Sequence, residues 1–214
     1  MIFKKYKKQL ILSSIVILLP IVFGLLLWNR LPEQIPTHWN AAGEVDQYSS
    51  RAFGVFGIPL ILLALHWLCL FVTKSDKGNK NQTPKVMSLV FWICPMVAVL
   101  CVGAVYLHAL GMDVNMIQLP CILVGFLFVI VGNYLPKCKH NYTIGIKLPW
   151  TLASEENWYA THRFAGRIWV AGGFLFLVMA FLPEKLVFPA LFAVILLLVL
   201  VPTVYSYRYM KKYE

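Results

Sequence analysis

The sequence predicts an all-α fold: a polytopic membrane helical bundle with six transmembrane helices and both termini in the cytosol. Three observations carry this. The chain of 214 residues is 60% hydrophobic and only 13% charged, about half the charged share of an ordinary soluble domain. Apolar runs long enough to cross roughly 30 Å of hydrocarbon recur at 10–28, 53–73, 86–110, 117–135, 167–183 and 186–206. With the N-terminus placed in the cytosol, all of the 19 Lys and Arg fall inside except Arg30, Arg51 and Lys185. That asymmetry is the positive-inside pattern. It accounts for the net charge of +10 as a topology signal and leaves no need for direct nucleic-acid binding.

Each element follows in order. The first run comes after "MIFKKYKK" and passes straight into "WNRLPEQ" with no small-residue cleavage site, so it reads as a retained span. Residues 53–73 form the second span. With the first they make an N-terminal two-span unit, 1–85, that carries an outer loop, 29–52. Spans at 86–110, 117–135, 167–183 and 186–206 make a four-span unit, 86–214, with a cytosolic loop, 136–166. The last two runs are joined only by "LPEK" and form a tight helical hairpin. Most spans hold a proline, which neighbouring helices can accommodate in lipid. The five cysteines show no paired spacing and read as buried small hydrophobes, with Cys138 a free thiol in a basic loop.

The outer loop reads "LPEQIPTHWNAAGEVDQYSSR". Pro32 and Pro36 favour an extended entry, Asn40 is a turn-starting side chain, and Gly43 supplies a positive φ. Trp39 and Tyr48 suit the headgroup zone. His38, Glu44 and Asp46 have the donor types of a divalent-metal site, but no helical or paired spacing fixes them. A folded cap or recognition surface therefore takes precedence over a metal centre.

In the inner loop, Ser154 is a helix N-cap with Glu155 and Glu156 in the first turn. Trp158, His162, Ala165 and Trp169 recur at helical spacing, with Arg163 and Arg167 on another side. This predicts a short amphipathic helix along the cytosolic interface, with Trp150, Trp158 and Trp169 as interfacial anchors and Gly166 at a bend into the fifth span. His162 near Glu155 or Glu156 is a weaker acid–base reading, since no nucleophile or metal set accompanies it. His66, near the middle of the second span, is either a functional intramembrane group or an interhelical hydrogen bonder. His108 reads as structural. No P-loop, G-x-S-x-G or H-E-x-x-H is present.

The outer loop resembles the signature l-P-x-x-I-P-x-H-w-n-x-x-G-x-x-D of a widespread bacterial domain of unknown function, at Pro36, His38, Asn40, Gly43 and Asp46. The segment "NYLPKCKHNYTIGIKLPWTLASEENWYATHRFAGRIWVAGG" resembles the signature of the SdpI family. The match covers Asn133, Pro136, Asn141, Tyr142, Gly145, Pro149, Trp150, Thr151, Trp158, Thr161, His162, Arg163 and Gly166. Lys147, followed by Leu148, replaces the family's usual arginine before "PW", and Ala165 its first glycine after "HRF". The resemblance implies a non-enzymatic, cofactor-free immunity protein of the bacterial cytoplasmic membrane. Its partners would be the lipid bilayer, a secreted peptide toxin outside and an ArsR-type repressor, held at the membrane, inside. Two other readings of the residues stay open: an ion-coupled transporter built on proline-broken spans and His66, and a metal-dependent membrane enzyme using His38, Glu44 and Asp46 or His140 and His162.

Overall fold

A computed structural model describes residues 5–213. Its elements in chain order are α1 (Lys7–Leu26), β1 (Gln34–Trp39), β2 (Val45–Ser50), a π-helical turn at Phe53–Gly57, α2 (Ile58–Ser75), a 3-10 turn at Lys77–Asn81, α3 (Pro84–Ala109), α4 (Gln118–Tyr134), α5 (Pro149–Ala153), α6 (Glu155–Met179) and α7 (Glu184–Tyr213). The chain is a multi-pass membrane protein: among the described residues, five helical stretches have the length and apolar character to cross a bilayer. They are Lys7–Leu26, Phe53–Ser75, Pro84–Ala109, Gln118–Lys137 and Glu184–Tyr213. The run expected as a fifth span, 167–183, falls mostly in α6 and is not among them. The first half of α6 carries Glu155, Glu156, Arg163 and Arg167 on the same continuous helix, and these dilute its apolar character.

The chain forms two compact units. One comprises residues 1–71 and 90–119, the other 72–89 and 120–214. In the first unit the expected folded cap, 29–52, takes a definite form. It folds as a two-stranded antiparallel hairpin pairing Gln34 with Ser50, Pro36 with Tyr48 and Trp39 with Val45, with irregular register around His38. Its fixed end is apolar. Ile35 is fully buried and joins Leu31, Val55, Val102 and Tyr106 in one cluster, and Tyr106 donates its hydroxyl hydrogen to the Pro20 carbonyl (3.2 Å). The hairpin is thus a polar ribbon rooted in a hydrophobic socket.

The second unit is organised by α6 and by the segment before it. Ser154 caps α6, accepting from the Asn157 N–H, as its residue type predicts. The expected bend at Gly166 is absent, since α6 runs unbroken from Glu155 to Met179. Gly166 serves close approach instead: a Cβ there would sit 2.7 Å from the Gly132 carbonyl oxygen on α4.

Candidate functional site

Two loops carry the residues singled out by the sequence, and each is a site of its own. At the tip of the hairpin, Asn40 directs the turn. Its side-chain oxygen accepts from the Ala42 N–H (2.9 Å) and the Glu44 N–H (3.0 Å). Gly43 holds φ +78°, the left-handed region that a side chain disfavours. The turn returns Asp46 beside His38, whose Nδ1 lies 2.6 Å from Asp46 Oδ1. Both side chains are about half exposed, at 57% and 41%. Glu44 does not join them, because its carboxylate accepts from the Asn40 amide (3.1 Å). His38, Glu44 and Asp46 are thus not gathered as a ligand set, and among the described residues no cluster of three metal-type side chains forms. Pro36 is buried, and Trp39 packs edge-on against His108 at 5.5 Å between centroids. Tyr48 is exposed. What the hairpin presents is a hydrogen-bonded His38–Asp46 pair, a turn and one aromatic ring.

His66 is 1% exposed, with Nε2 2.9 Å from the Ser13 hydroxyl. The geometry is that of an interhelical hydrogen bond between α1 and α2.

In the second unit the chain 138–162 winds around buried polar groups. Asn141 is fully buried and uses its whole amide. The oxygen accepts from the Thr143 N–H (2.8 Å) and the Ile144 N–H (2.6 Å), and the nitrogen donates to the Lys139 and Ile144 carbonyls (both 2.8 Å). Asp76 reaches the same loop, accepting from the Tyr142 N–H (2.7 Å) and the Thr143 hydroxyl (3.1 Å). Asn79 donates to Thr143 Oγ1 and to the Thr73 carbonyl. Gln82 exchanges two bonds with the Lys139 backbone (2.7 and 3.1 Å). Sequence reasoning missed Asp76, Asn79 and Gln82. The available signal was a lone aspartate among the cations of "KSDKGNKNQ".

Trp158 and His162 close the site. Trp158, expected as an interfacial anchor, is fully buried. It donates its indole N–H to the Cys138 carbonyl (3.0 Å) and stacks on the His162 ring, with centroids 4.0 Å apart. Helical spacing cannot separate an interfacial ring from a core ring, and the burial comes from distant residues, Val86, Cys138 and Ile144 among them, packed in one cluster with it. His162 has no carboxylate partner, so the pairing with Glu155 or Glu156 is not made. Both glutamates are exposed in the first turn of α6. The His162 Nε2 accepts the Ile146 N–H (3.0 Å), so the proton sits on Nδ1, which donates to the Trp158 carbonyl (2.7 Å). Burial pushes its pKa down to about 4, against the raising effect of the Trp158 carbonyl. The ring is a neutral structural link with both nitrogens engaged.

Gly145, at φ +117°, carries the backbone past this ring, where a Cβ would collide with His162 Nε2. Cys138 is buried too, and desolvation raises its thiol to about 11, so thiolate chemistry is suppressed.

Thr151 accepts from the Leu148 N–H and donates to the Ile146 carbonyl (both 2.9 Å), and Trp150 donates to the Ser206 hydroxyl (2.9 Å) on α7. These bonds close the turn that opens with Pro149. Tyr142 and Arg163 remain exposed.

Comparison with known proteins follows the same division. Residues 137–206 match the model of the SdpI/YfhL protein family. Residues 15–63, a range that contains the hairpin, match a domain of unknown function, DUF1648. An uncharacterized protein of Archaeoglobus fulgidus is 32% identical over 83 residues, which cover 39% of this chain and 45% of that protein. No solved structure matches the chain significantly. The immunity protein SdpI of Bacillus subtilis is 27% identical over 210 residues, 96% of this chain and 97% of its own length, so the likeness runs through both loops and every membrane helix.

Proposed function

We propose that this chain is a non-enzymatic immunity protein of the bacterial cytoplasmic membrane. In this reading six spans place both termini in the cytosol, the 1–85 unit displays the hairpin outside, and the 86–214 unit displays the 136–166 loop inside. The hairpin meets a secreted peptide toxin, and the inner loop communicates with an ArsR-type repressor held at the membrane. The observation that carries the proposal is the end-to-end likeness to an immunity protein over 96% of the chain. The form of the hairpin supports it: an exposed polar ribbon on a rigid apolar root is suited to recognition.

The test is protection. Expression in a host sensitive to a secreted peptide toxin of this class should raise survival. His38→Ala with Asp46→Ala should remove the gain while leaving the amount in the membrane unchanged. No protection by the wild-type chain against any cognate toxin would overturn the proposal.

A further inference from the structure

The C-terminal end of α7 lines an open cleft of about 450 Å3 with Phe164 of α6. Two rows at four-residue spacing form its wall, because positions i and i+4 lie one above the other on a helix. The aromatic row is Tyr205, Tyr209 and Tyr213, with ring centroids 6.3 and 4.7 Å apart. Phe164 stacks on its first member at 4.1 Å and an interplanar angle of 11°. The second row runs Val204, Arg208, Lys212, so it changes from apolar to cationic over about 12 Å of helix axis.

The cleft is therefore apolar at one end and positive at the other. Among the described residues no aspartate or glutamate lines it. Arg208 and Lys212 are exposed and form no ion pair among the described residues. α7 is long and apolar enough to cross a bilayer, and its cations end it, so the cleft lies where the helix leaves the hydrocarbon. Cations at a helix C-terminus complement the macrodipole in any case. A concave aromatic wall continuous with an apolar floor is not needed for that.

We infer that this cleft binds an anionic phospholipid. The phosphate lies against Arg208 and Lys212, and the upper part of an acyl chain lies along Phe164 and Val204. Arg208 supplies a planar, multi-donor grip on phosphate oxygens. Lys212, 4.9 Å above the Tyr213 ring centre, keeps ammonium hydrogens available to the same group. The inference is independent of the toxin reading and needs only α7 in a bilayer.

The test is native mass spectrometry of the purified full chain titrated with dioleoylphosphatidylglycerol or dioleoylphosphatidylcholine. Wild type should retain the anionic lipid preferentially, and R208Q/K212Q should weaken that retention about thirtyfold. K211Q is the control: it removes the same charge from a lysine that lies over Tyr207, outside the cleft, and should change retention little. Millimolar inorganic phosphate should not displace the lipid if the acyl chain contributes. Equal retention of both lipids would overturn the inference, as would a loss in K211Q equal to that in R208Q/K212Q, or complete displacement by phosphate.

Discussion

The two loops are built from the same residue types and put them to opposite uses. Each has an asparagine that folds a turn, a glycine at positive φ, a tryptophan and a histidine. Asn40 and Gly43 turn a hairpin whose His38 is 57% exposed. Asn141 and Gly145 turn a loop whose His162 is fully buried, both nitrogens bonded to backbone. The contrast teaches that a histidine beside a turn signals neither a binding site nor a catalytic group until its burial is known. His38 stays open to water beside a carboxylate partner. Out of water His162 is held neutral, because charging it would cost desolvation that nothing nearby repays.

The sharpest way to break the comparison is to remove each asparagine. Asn141→Ala leaves the part-buried Thr143 and Ile144 N–H groups without their side-chain acceptor and should cost about 3 kcal/mol or more, read as a large fall in thermal unfolding temperature in detergent. Asn40→Ala removes the equivalent bonds from a turn open to water and should cost about 1 kcal/mol or less. Equal effects would show that the two turns do not differ in burial as described.

The second test uses pH. The folded pKa of His162 is depressed to about 4 from 6.5. Above pH 6.5 both folded and unfolded forms are neutral, and the stability is fully present. As pH falls from 6.5 toward 4 the unfolded chain takes up a proton that the folded chain refuses, and stability declines, by up to about 3 kcal/mol. Unfolding temperature should fall over that window, and His162→Gln should flatten the slope. An unchanged slope in the variant would assign it to other groups.

The smallest expected stability effect is at the hairpin. His38→Gln removes a solvent-exposed hydrogen bond to Asp46, worth about 1 kcal/mol or less, and should leave the unfolding temperature nearly unchanged. Its consequence should appear in protection against toxin, which separates a surface that recognises from a core that supports. A large thermal loss would place His38 in the structural class instead.

Much of this molecule is legible locally. The apolar runs position α1, α2, α3, α4 and α7, since length and composition alone meet the demands of a bilayer. Turn chemistry at Asn40 and Gly43 and the cap at Ser154 need only a few neighbouring residues, and they take the expected forms. The bend at Gly166 failed because the glycine's role is set by α4, a distant segment packed against it.

The sequence by itself therefore determined where helices run and where the chain turns, because hydrophobic length and short-range backbone chemistry are properties of contiguous residues. Only the tertiary structure decided that Ile35 roots a hairpin, that Trp158 is core and not anchor, and that His162 is locked. It also decided that Asp76 holds the backbone of Tyr142, 66 positions along the chain. Burial and partnership at such separations depend on which surfaces the folded chain brings together. A periodic pattern reports that a ring faces inward or outward on its own helix, but not what covers it.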